Sequence, residues 1–494
     1  MSTNLEKLVA DSTVEVEAVN NTEVRSLYKK REPIFPKKAE GTFRRLKWII
    51  MAITLGIYYI LPWIRWDRGP NAPDQAVLID FPTRRFYFFF IEIWPQEVFF
   101  VAGILIAAAL ALFLFTALFG RVWCGYACPQ TVWTDLFIAV ERMIEGDRNA
   151  RIKLHRAAWS MDKITKYTLK HSAWLLIAVA TGGAWVFYFD DAPKLFVDLF
   201  TLDAPMTAYV FVGMLTFTTY TLGGLSREQV CIYMCPWPRI QGAMLDEDSL
   251  VVTYRYDRGE PRGHIKQVME DTPKGDCIDC KMCVAVCPTG IDIRDGAQLE
   301  CINCALCIDA CDTIMDKIGK PRGLIAYDTD ANMRRRQDGE KEKLNLFRAR
   351  TVVYSVLLAA TMAAMLFALN ARSVLDLNVL RDRNPLFVTL SDGSIRNGYT
   401  VKILNKIREP RSFVLSLSGL PLQSVKINGI EPDANGTYVI DVKPDKLRSF
   451  HLFAAVRSDD LSSSSQPISI TVTDTKTQES ETYNSVFIGP NRDQ

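Results

Sequence analysis

Eight cysteines in one short part of the chain repeat a single spacing twice. The first copy reads Cys277-x-x-Cys280-x-x-Cys283-x-x-x-Cys287 and is followed by Pro288, and the second reads Cys301-x-x-Cys304-x-x-Cys307-x-x-x-Cys311. This is the run of cysteines with which bacterial ferredoxins ligate [4Fe–4S] clusters. The spacing therefore predicts one-electron transfer, carried by two such clusters.

In a two-cluster ferredoxin, the fourth cysteine of each run ligates the cluster of the other run. We therefore expect two crossed sets of ligands, Cys277, Cys280, Cys283 and Cys311 for the first cluster and Cys301, Cys304, Cys307 and Cys287 for the second. Pairs of cysteines also bind zinc, but a zinc site takes four ligands, usually from two pairs. The three-plus-one spacing therefore favours clusters over zinc.

One residue departs from the ferredoxin pattern. Asp312 follows Cys311, whereas Pro288 follows the corresponding Cys287. Ligation is expected to survive, because proline is not a ligand. Since nearby negative charge opposes the addition of an electron, we expect the Asp312 carboxylate to make the first cluster the lower-potential centre.

The four remaining cysteines form two further pairs. They lie in Cys124-Gly-Tyr-Ala-Cys128-Pro129 and Cys231-Ile-Tyr-Met-Cys235-Pro236, and an arginine precedes each pair, Arg121 and Arg227. Both pairs read Cys-x-Tyr-x-Cys-Pro, and each follows two apolar runs. The match predicts an internal repeat of the kind that builds membrane sites at a pseudo-symmetric interface. If each motif is helical, its two cysteines share one face.

Two such faces brought together would form a site of four thiolates, at which Met234 adds a thioether. Soft sulfur ligands select Cu(I), zinc or an iron–sulfur cluster. Alternatively, the pairs could cycle between dithiol and disulfide, or could simply be small buried hydrophobic residues. Because the motif occurs twice, we favour a metal or redox role, with copper or a third cluster as the candidate occupant.

Few other residues are candidates for a chemical role. Glu92 and Glu97 lie in an apolar stretch, where a carboxylate is functional by default, for example in a quinol or metal-ion site. Pro95 also suits a helix start, however, and an acidic residue in a first turn is favourable there. None of the four histidines lies well inside an apolar run, and we expect His155 and His171 to be solvated loop residues.

The chain has 494 residues and a net charge of +2, which gives no overall case for binding nucleic acid. Five apolar runs approach the length of about 20 residues that a bilayer requires. They lie near 47–64, 97–119, 172–189, 207–224 and 352–370. The first run follows more than forty polar residues, too many for a cleaved secretory leader, so we interpret it as a retained anchor.

Lysine and arginine are concentrated in alternate loops. The loops 65–96 and 190–206 are poor in these residues, so the positive-inside rule places the N-terminus, 120–171 and 225–351 in the cytoplasm. All twelve cysteines then lie on the cytoplasmic side, a reducing compartment that suits iron–sulfur clusters. We therefore expect a bacterial inner-membrane protein whose C-terminal part is periplasmic.

The C-terminal part of the chain alternates apolar and polar residues. Strands are predicted at 399–404, 412–417, 437–442 and 468–473. Turn residues such as Asn428-Gly429 and Asn435-Gly436 lie between them. Several short strands at this spacing predict an antiparallel, immunoglobulin-like sandwich. It holds no obvious catalytic cluster, and we interpret it as a binding or docking module.

These observations predict a multi-domain membrane protein. It combines an α-helical transmembrane bundle of about five spans, a cytoplasmic 2[4Fe–4S] ferredoxin-like module and a C-terminal all-β immunoglobulin-like sandwich. The predicted segments are a partly disordered cytoplasmic tail (1–46), a four-span domain (47–240), the ferredoxin-like domain (241–350), a fifth span (351–371) and a periplasmic domain (372–494).

The combination of motifs resembles a known family. Its elements are the two Cys-x-Tyr-x-Cys-Pro motifs, the run from Cys277 to Cys311 with the segment Cys287-Pro-Thr-Gly-Ile-Asp-Ile-Arg-Asp-Gly296, one further span and an exported sandwich. Together they are similar to the cytochrome c oxidase accessory proteins called CcoG, FixG or RdxA. The cluster run alone is common to many electron carriers, whereas the combination covers nearly the whole chain and is far more specific.

The resemblance implies a role in assembling a cbb3-type cytochrome c oxidase. In that family Cu(II) is proposed to be reduced to Cu(I), which a copper-transporting ATPase and chaperones then handle. By this resemblance the candidate catalytic and copper-handling thiols are those of Cys124, Cys128, Cys231 and Cys235. The expected partners are the lipid bilayer, the oxidase assembly factors and an electron donor that the sequence does not name, and a homodimer is compatible with the pattern.

Two other functions stay open. The chain could be an electron conduit that oxidises quinol near Glu92 and Glu97 and reduces a partner without any substrate metal. It could also be an assembly scaffold whose exported domain docks oxidase subunits and whose clusters are structural. Quinol-dependent cluster reduction without added copper would favour the conduit, and clusters that do not cycle would favour the scaffold.

Overall fold

The computed structural model describes residues 13–20, 32–70, 72–263, 275–372 and 375–490. It divides into two compact units. The first comprises Met1–Trp66 and Gln75–Met365, and the second comprises Asp67–Asp74 and Leu366–Gln494. Parts of the predicted disordered tail, 1–12 and 21–31, lie outside the described residues.

The first unit is mainly helical. The described α-helices are α1 Thr42–Ile60, α2 Phe99–Phe119, α3 Val122–Tyr126, α4 Pro129–Glu145, α5 Arg148–Arg156, α6 Met161–Val186, α7 Ala192–Thr201, α8 Met206–Thr218, α9 Trp237–Met244, α10 Tyr256–Gly259, α11 Met282–Ala285, α12 Leu306–Ile318, α13 Asp330–Gln337 and α14 Ala349–Asn370. Two π-helical segments, Thr219–Ser226 and Val230–Met234, follow α8.

Four of the described helical stretches are long and apolar enough to cross a membrane. They are Thr42–Trp63, Pro95–Phe119, Met206–Ser226 and Ala349–Asn370. The remaining predicted span, 172–189, falls mainly in α6, which does not reach the same criterion. The reason is that Lys163, Lys166 and Lys170 occupy the first half of that helix, so its apolar part is short.

Two small antiparallel sheets complete the first unit. Strands β1 Val77–Asp80, β2 Arg85–Phe88 and β3 Ile91–Ile93 form one in that order. Strands β4 Val251–Tyr254 and β5 Ile325–Asp328 form the other, and they pair across the two ends of the segment that holds the eight clustered cysteines. The pair and α12 share a buried core that includes Ile314, Met315 and Leu324.

Alternating sequences form the second unit, as predicted. Its strands are β6 Leu375–Arg381, β7 Val388–Thr389, β8 Ile395–Asn405, β9 Arg411–Ser418, β10 Leu422–Ile427, β11 Tyr438–Val442, β12 Lys446–Val456, β13 Ser465–Asp474 and β14 Ser480–Ile488. One sheet has the order β10-β12-β8-β6, with β7 also paired to β8, and the other has the order β11-β9-β13-β14. Side chains from both sheets, among them Tyr399, Phe413 and Phe487, form one core.

The described parts of the N-terminal tail pack against the cysteine-rich segment. The backbone N–H of Val14 donates to the carbonyl of Cys280 at 3.2 Å, and that of Val19 donates to Gly290 at 2.9 Å. The Asn20 side chain donates to the carbonyl of Thr289 at 2.6 Å. Partial disorder was expected because the tail is polar. Composition alone does not show whether the backbone of a segment will pair with a distant part of the chain.

The start of α1 is held by a residue far along the chain. Its N-cap residue, Gly41, has no side chain to accept from the first turn. Instead, the Asp309 carboxylate of α12 accepts from the backbone N–H groups of Phe43 (3.2 Å) and Arg44 (2.7 Å). The guanidinium of Arg44 also pairs with Asp135 of α4 at 2.9 Å. An apolar helix, α4 and the cysteine-rich segment are thereby joined at one point.

Candidate functional site

The structure gathers the eight clustered cysteines around two cavities in the first unit. The first cavity is lined by Cys277, Cys280, Cys283 and Cys311. The second is lined by Cys287, Cys301, Cys304 and Cys307. These are the two crossed sets expected from the spacing. Cys283 also lines the second cavity, so the two cavities adjoin.

Matching backbone turns shape both cavities. The residues on either side of the second cysteine of each run, Asp279 and Lys281 in the first and Asn303 and Ala305 in the second, have φ between 52° and 60°. The backbone N–H of Met282 donates to the sulfur of Cys280, and the backbone N–H of Leu306 donates to the sulfur of Cys304. Such left-handed turns point N–H groups inward, as in nests that bind anions. Each run therefore offers sulfur ligands and backbone donors together.

The donor set fits iron–sulfur clusters. Burial raises the pKa of Cys301 to about 12, and it raises the pKa of Cys283 and of Cys307 well above the ordinary range. Buried thiols of this kind become ligands only when a positively charged metal core displaces their protons. In the described part of the chain, no three Cys, His or carboxylate side chains converge on a single metal ion. Four sulfurs spaced around each cavity suit a polynuclear cluster better than one zinc ion.

Charged residues lie close to the first cavity. The Arg294 guanidinium lines it and pairs with Asp292 at 2.7 Å. Burial lowers the pKa of Arg294, but the acidic partners of its guanidinium raise that pKa by more. The residue therefore stays cationic beside the cavity. Asp312 accepts from the backbone N–H of Gly323 at 2.9 Å and is close enough to raise the pKa of Cys311, after the larger effect of burial. The sequence analysis noticed Asp312 but missed Arg294.

The two Cys-x-Tyr-x-Cys-Pro motifs are only half helical. Cys124 lies in α3 and Cys231 in the second π-helical segment. Cys128 and Cys235 have extended backbones, with ψ of 128° and 122°. The condition under which both cysteines of a motif would share a helical face is therefore not met. A residue before proline is sterically disfavoured in the helical region, so Pro129 and Pro236 end the helical turn.

The structure nevertheless brings the four cysteines of the two motifs together. Burial, and after it the neighbouring Cys128, Cys231 and Cys235, raise the pKa of Cys124 to about 12. Burial, and after it Cys128 and Cys235, likewise raise the pKa of Cys231 to about 12. Thiols that influence one another in this way lie near one another. We call these four residues the membrane-edge cysteines.

A buried glutamine that the sequence analysis missed supports Cys124. The Cys124 thiol donates to Gln241 Oε1 at 3.2 Å, and Gln241 Nε2 donates to Thr116 Oγ1 at 3.2 Å. Gln241 is fully buried. No local pattern marks it, because its two partners lie more than a hundred residues away.

The first motif contacts the second cluster cavity directly. A Cβ atom on Gly125 would lie 2.7 Å from the carbonyl oxygen of Ile302 and 2.9 Å from that of Asn303. Arg121 donates to the carbonyls of Leu299 and Cys301. Cys124 packs in the same apolar cluster as Cys304 and Cys307. The membrane-edge cysteines therefore adjoin the second cavity through the first motif.

The second motif is held by a buried ion network. Arg227, which precedes it, pairs with Glu141 of α4 and donates to the carbonyl of Gly224 at 2.7 Å. Glu141 also pairs with Arg151, and Lys170 pairs with the neighbouring Glu145 at 2.7 Å. The two matching arginines thus have different partners, since Arg121 binds the cysteine-rich segment and Arg227 binds the helices.

A polar cavity separates the second motif from the second cluster cavity. It is lined by Lys47, Asp135, Glu228, Cys231 and Thr289, among others. The Lys47 ammonium is buried, 3.9 Å from the Asp135 carboxylate. Burial raises the pKa of Cys304, and among the nearby charges Lys47 opposes this rise most strongly. A buried cation therefore lies between the two sulfur sites.

The remaining candidates have structural partners. Arg85 pairs with Glu92 at 3.0 Å, and Glu97 Oε2 accepts from the backbone N–H of Trp94 at 3.1 Å at the start of the helical stretch. His171 bonds Tyr220 at 2.8 Å rather than being solvated. The ring of His155 packs near that of Phe35. None of these residues lines the two cluster cavities.

Three models of protein families match the chain. A 4Fe-4S dicluster domain matches residues 226–330, a 4Fe-4S binding domain matches residues 101–144, and an IG-like fold at the C-terminus of FixG matches residues 365–490. The first two matches support bound iron–sulfur clusters, and neither supports copper. Both Cys-x-Tyr-x-Cys-Pro motifs fall within matched iron–sulfur segments.

Curated relatives match most of the chain. Nitrogen fixation protein FixG of Rhizobium meliloti is 54% identical, over 96% of this chain and 96% of its own length. Protein RdxB of Cereibacter sphaeroides is 57% identical over 85% of this chain and 91% of its own, and protein RdxA of the same organism is 55% identical over 84% and 87%. With four apolar helices, two iron–sulfur segments and these relatives, the chain belongs to the FixG/RdxA family of membrane iron–sulfur proteins.

Proposed function

We propose that this chain is an oxidoreductase that reduces Cu(II) to Cu(I) at the membrane-edge cysteines. The observation that carries the proposal is the convergence of Cys124, Cys128, Cys231 and Cys235 from two repeats, next to the second cluster cavity. Bound [4Fe–4S] clusters would supply electrons singly, which matches the one-electron copper couple. The electrons come from a low-potential donor, which the sequence does not name.

The membrane-edge cysteines have the chemistry that a cuprous product requires. Soft thiolates prefer Cu(I) to harder divalent ions. Because burial raises the pKa of Cys124 and Cys231 to about 12, the metal must displace their protons on binding. Met234 is 61% exposed between Cys231 and Cys235, where its thioether can receive the product from the thiols. The site would hold copper briefly and release it at its exposed edge.

A second candidate is a resident third iron–sulfur cluster on the same four thiols. The match to a 4Fe-4S binding domain at residues 101–144 covers Cys124 and Cys128. Iron content separates the candidates, since two clusters give about eight iron atoms per chain and three give about twelve. The quinol-linked conduit is less favoured, because Glu92 and Glu97 already have structural partners.

We propose the bacterial inner membrane as the location of the chain, with both sulfur sites cytoplasmic and the second unit periplasmic. Basic residues at the start of α1, including Arg44, Arg45 and Lys47, and around the start of α14, including Arg348 and Arg350, support this orientation. By resemblance to the family, we also propose oxidase assembly factors and a copper-transporting ATPase as partners.

The orientation predicts the behaviour of reporter fusions. Alkaline phosphatase needs an oxidising compartment to form its disulfides. We expect an enzyme fused after residue 490 to be active in cells and one fused after residue 260 to be inactive. The reverse pattern would invert the proposed topology, and activity of both fusions would reject it.

Copper reduction should depend on the membrane-edge cysteines. The full chain, purified without oxygen and reduced with dithionite, is expected to reoxidise when Cu(II) is added and to yield Cu(I), which a colorimetric chelator captures. With Cys124, Cys128, Cys231 and Cys235 replaced by serine, we expect Cu(I) formation to be lost while about eight iron atoms and the cluster absorbance remain. Undiminished Cu(I) formation by this variant would overturn the proposed site.

The contact at Gly125 should determine how fast electrons pass from the clusters to the membrane-edge cysteines. Gly125→Ala puts a methyl group against two backbone carbonyls that ligating cysteines hold in place, so the first motif must move away from the second cavity. We expect Cu(II) to reoxidise the clusters several-fold more slowly, with unchanged iron content, in stopped-flow absorbance. The control is Gly213→Ala, whose added Cβ meets nothing within 4 Å. Equal rates in both variants would contradict the route.

Charges near each cavity should set the two cluster potentials separately. Lys47→Met removes the buried cation beside the second cavity, so we expect its potential to fall by on the order of tens of millivolts. Asp312→Asn removes an anion beside Cys311, so the first potential should rise. Redox titration followed by EPR measures both. If each variant shifts both centres equally, or shifts neither, the assignment of charges to cavities fails.

A further inference from the structure

An open groove lies between the start of α1 and the end of α4. Its volume is about 600 Å³, and its lining includes Lys38, Arg44, Arg45 and Trp48 on one side and Arg142 and Met143 on the other. We call it the α1–α4 groove. Neither the two cluster cavities nor the membrane-edge cysteines contribute to it. Its lining is strongly cationic, because Glu40 is the only carboxylate among the lining residues in the described part of the chain.

Part of this positive charge is compensated and part is not. Lys38 pairs with Glu40 at 2.7 Å, and Arg142 Nε lies 3.9 Å from Asp147. The Arg45 side chain is exposed and has no hydrogen-bond or ion-pair partner among the described residues. Burial lowers the pKa of Arg142, and the like charge of Arg44 lowers it further. Because four cations and one carboxylate line the groove, it is suited to an added anion.

The rest of the groove is apolar and lies at the edge of an apolar helix. Trp48 is 40% exposed and packs beneath the Arg44 guanidinium at 4.5 Å, and Met143 is 80% exposed. The next turns of α1 expose Ile49 and Ile53. Because α1 begins one of the four stretches that can cross a membrane, the groove lies at headgroup depth, where tryptophan is enriched.

We propose that the α1–α4 groove binds an anionic phospholipid, with its phosphate on Lys38, Arg45 and Arg142 and an acyl chain along Trp48, Ile49 and Ile53. Basic pockets between membrane helices on the cytoplasmic side recognise such headgroups. A free phosphate or nucleotide would use the cations but would leave the exposed tryptophan, methionine and isoleucines without a partner. The groove therefore favours a lipid over a soluble anion.

A lipid bound in the α1–α4 groove would connect the lipid composition of the membrane to the redox site. The residues that line the groove also fasten α1, since Arg44 pairs with Asp135 and its backbone N–H donates to Asp309 of the cysteine-rich segment. A bound lipid would stabilise this junction from the membrane side. The proposal does not depend on which metal the membrane-edge cysteines hold.

The test is a lipid titration of the detergent-solubilised full chain. Short-chain phosphatidylglycerol, phosphatidylcholine of the same chain length and inorganic phosphate are added in turn, and native mass spectrometry counts the bound molecules. We expect one phosphatidylglycerol to bind in preference to phosphatidylcholine. In Lys38→Gln/Arg45→Gln its affinity should fall about 25-fold, at about fivefold per charge. In Arg45→Lys, which keeps the charge, most of the affinity should remain.

Matched controls decide whether the site is specific. Lys153 and Lys341 are exposed and lie outside the groove, so Lys153→Gln/Lys341→Gln removes the same charge and should leave affinity unchanged. An equal loss in this control would show a diffuse charge effect and would overturn the proposal. Phosphatidylcholine bound as tightly, or inorganic phosphate displacing the lipid at equal affinity, would also overturn it. Retained cluster absorbance confirms that each variant is folded.

Discussion

The first unit depends on a close backbone contact between the first Cys-x-Tyr-x-Cys-Pro motif and the loop that carries Cys301 and Cys304. Only glycine fits at position 125, because any side chain would enter the space of two carbonyl oxygens. Around this contact, Arg121 binds the carbonyls on one side and Asp309 caps α1 on the other. Backbone atoms between ligating cysteines cannot adjust as long side chains do. The membrane helices are therefore positioned against the redox segment by a rigid contact.

The two repeats share their cysteines but not their support. Position 125 is glycine in the first motif, whereas the equivalent residue in the second is Ile232. The first motif is α-helical and the second is π-helical, and π-helical turns occur frequently at functional sites. Arg121 binds the cysteine-rich segment, whereas Arg227 binds Glu141. We interpret the first motif as the fixed half of the thiol site and the second as the half that faces substrate.

Local chemistry was predictable from the sequence, and distant packing was not. Spacing and the ferredoxin rule for the fourth cysteine sorted the eight cysteines into the two sets that line the cavities, because three ligands of each cluster are close along the chain. Alternation placed the strand 399–404 within β8. That Cys128 and Cys235 lie outside a helix could be read from the sequence, since each precedes a proline. No local sequence pattern identifies Lys47 or Gln241, because the residues that they contact lie far away in sequence.

The backbone bonds of the N-terminal segment have a consequence for biosynthesis. Asn20 and its partner Thr289 are 269 residues apart, and the apolar helices α1, α2 and α8 lie between them in the chain. At about 5–20 residues per second, a ribosome needs on the order of tens of seconds to make that interval. Throughout this time the segment has no surface on which to fold. Its polar composition is what a chain needs in order to stay soluble while it waits, and the tail closes over the cysteine-rich segment only after that segment has been synthesised.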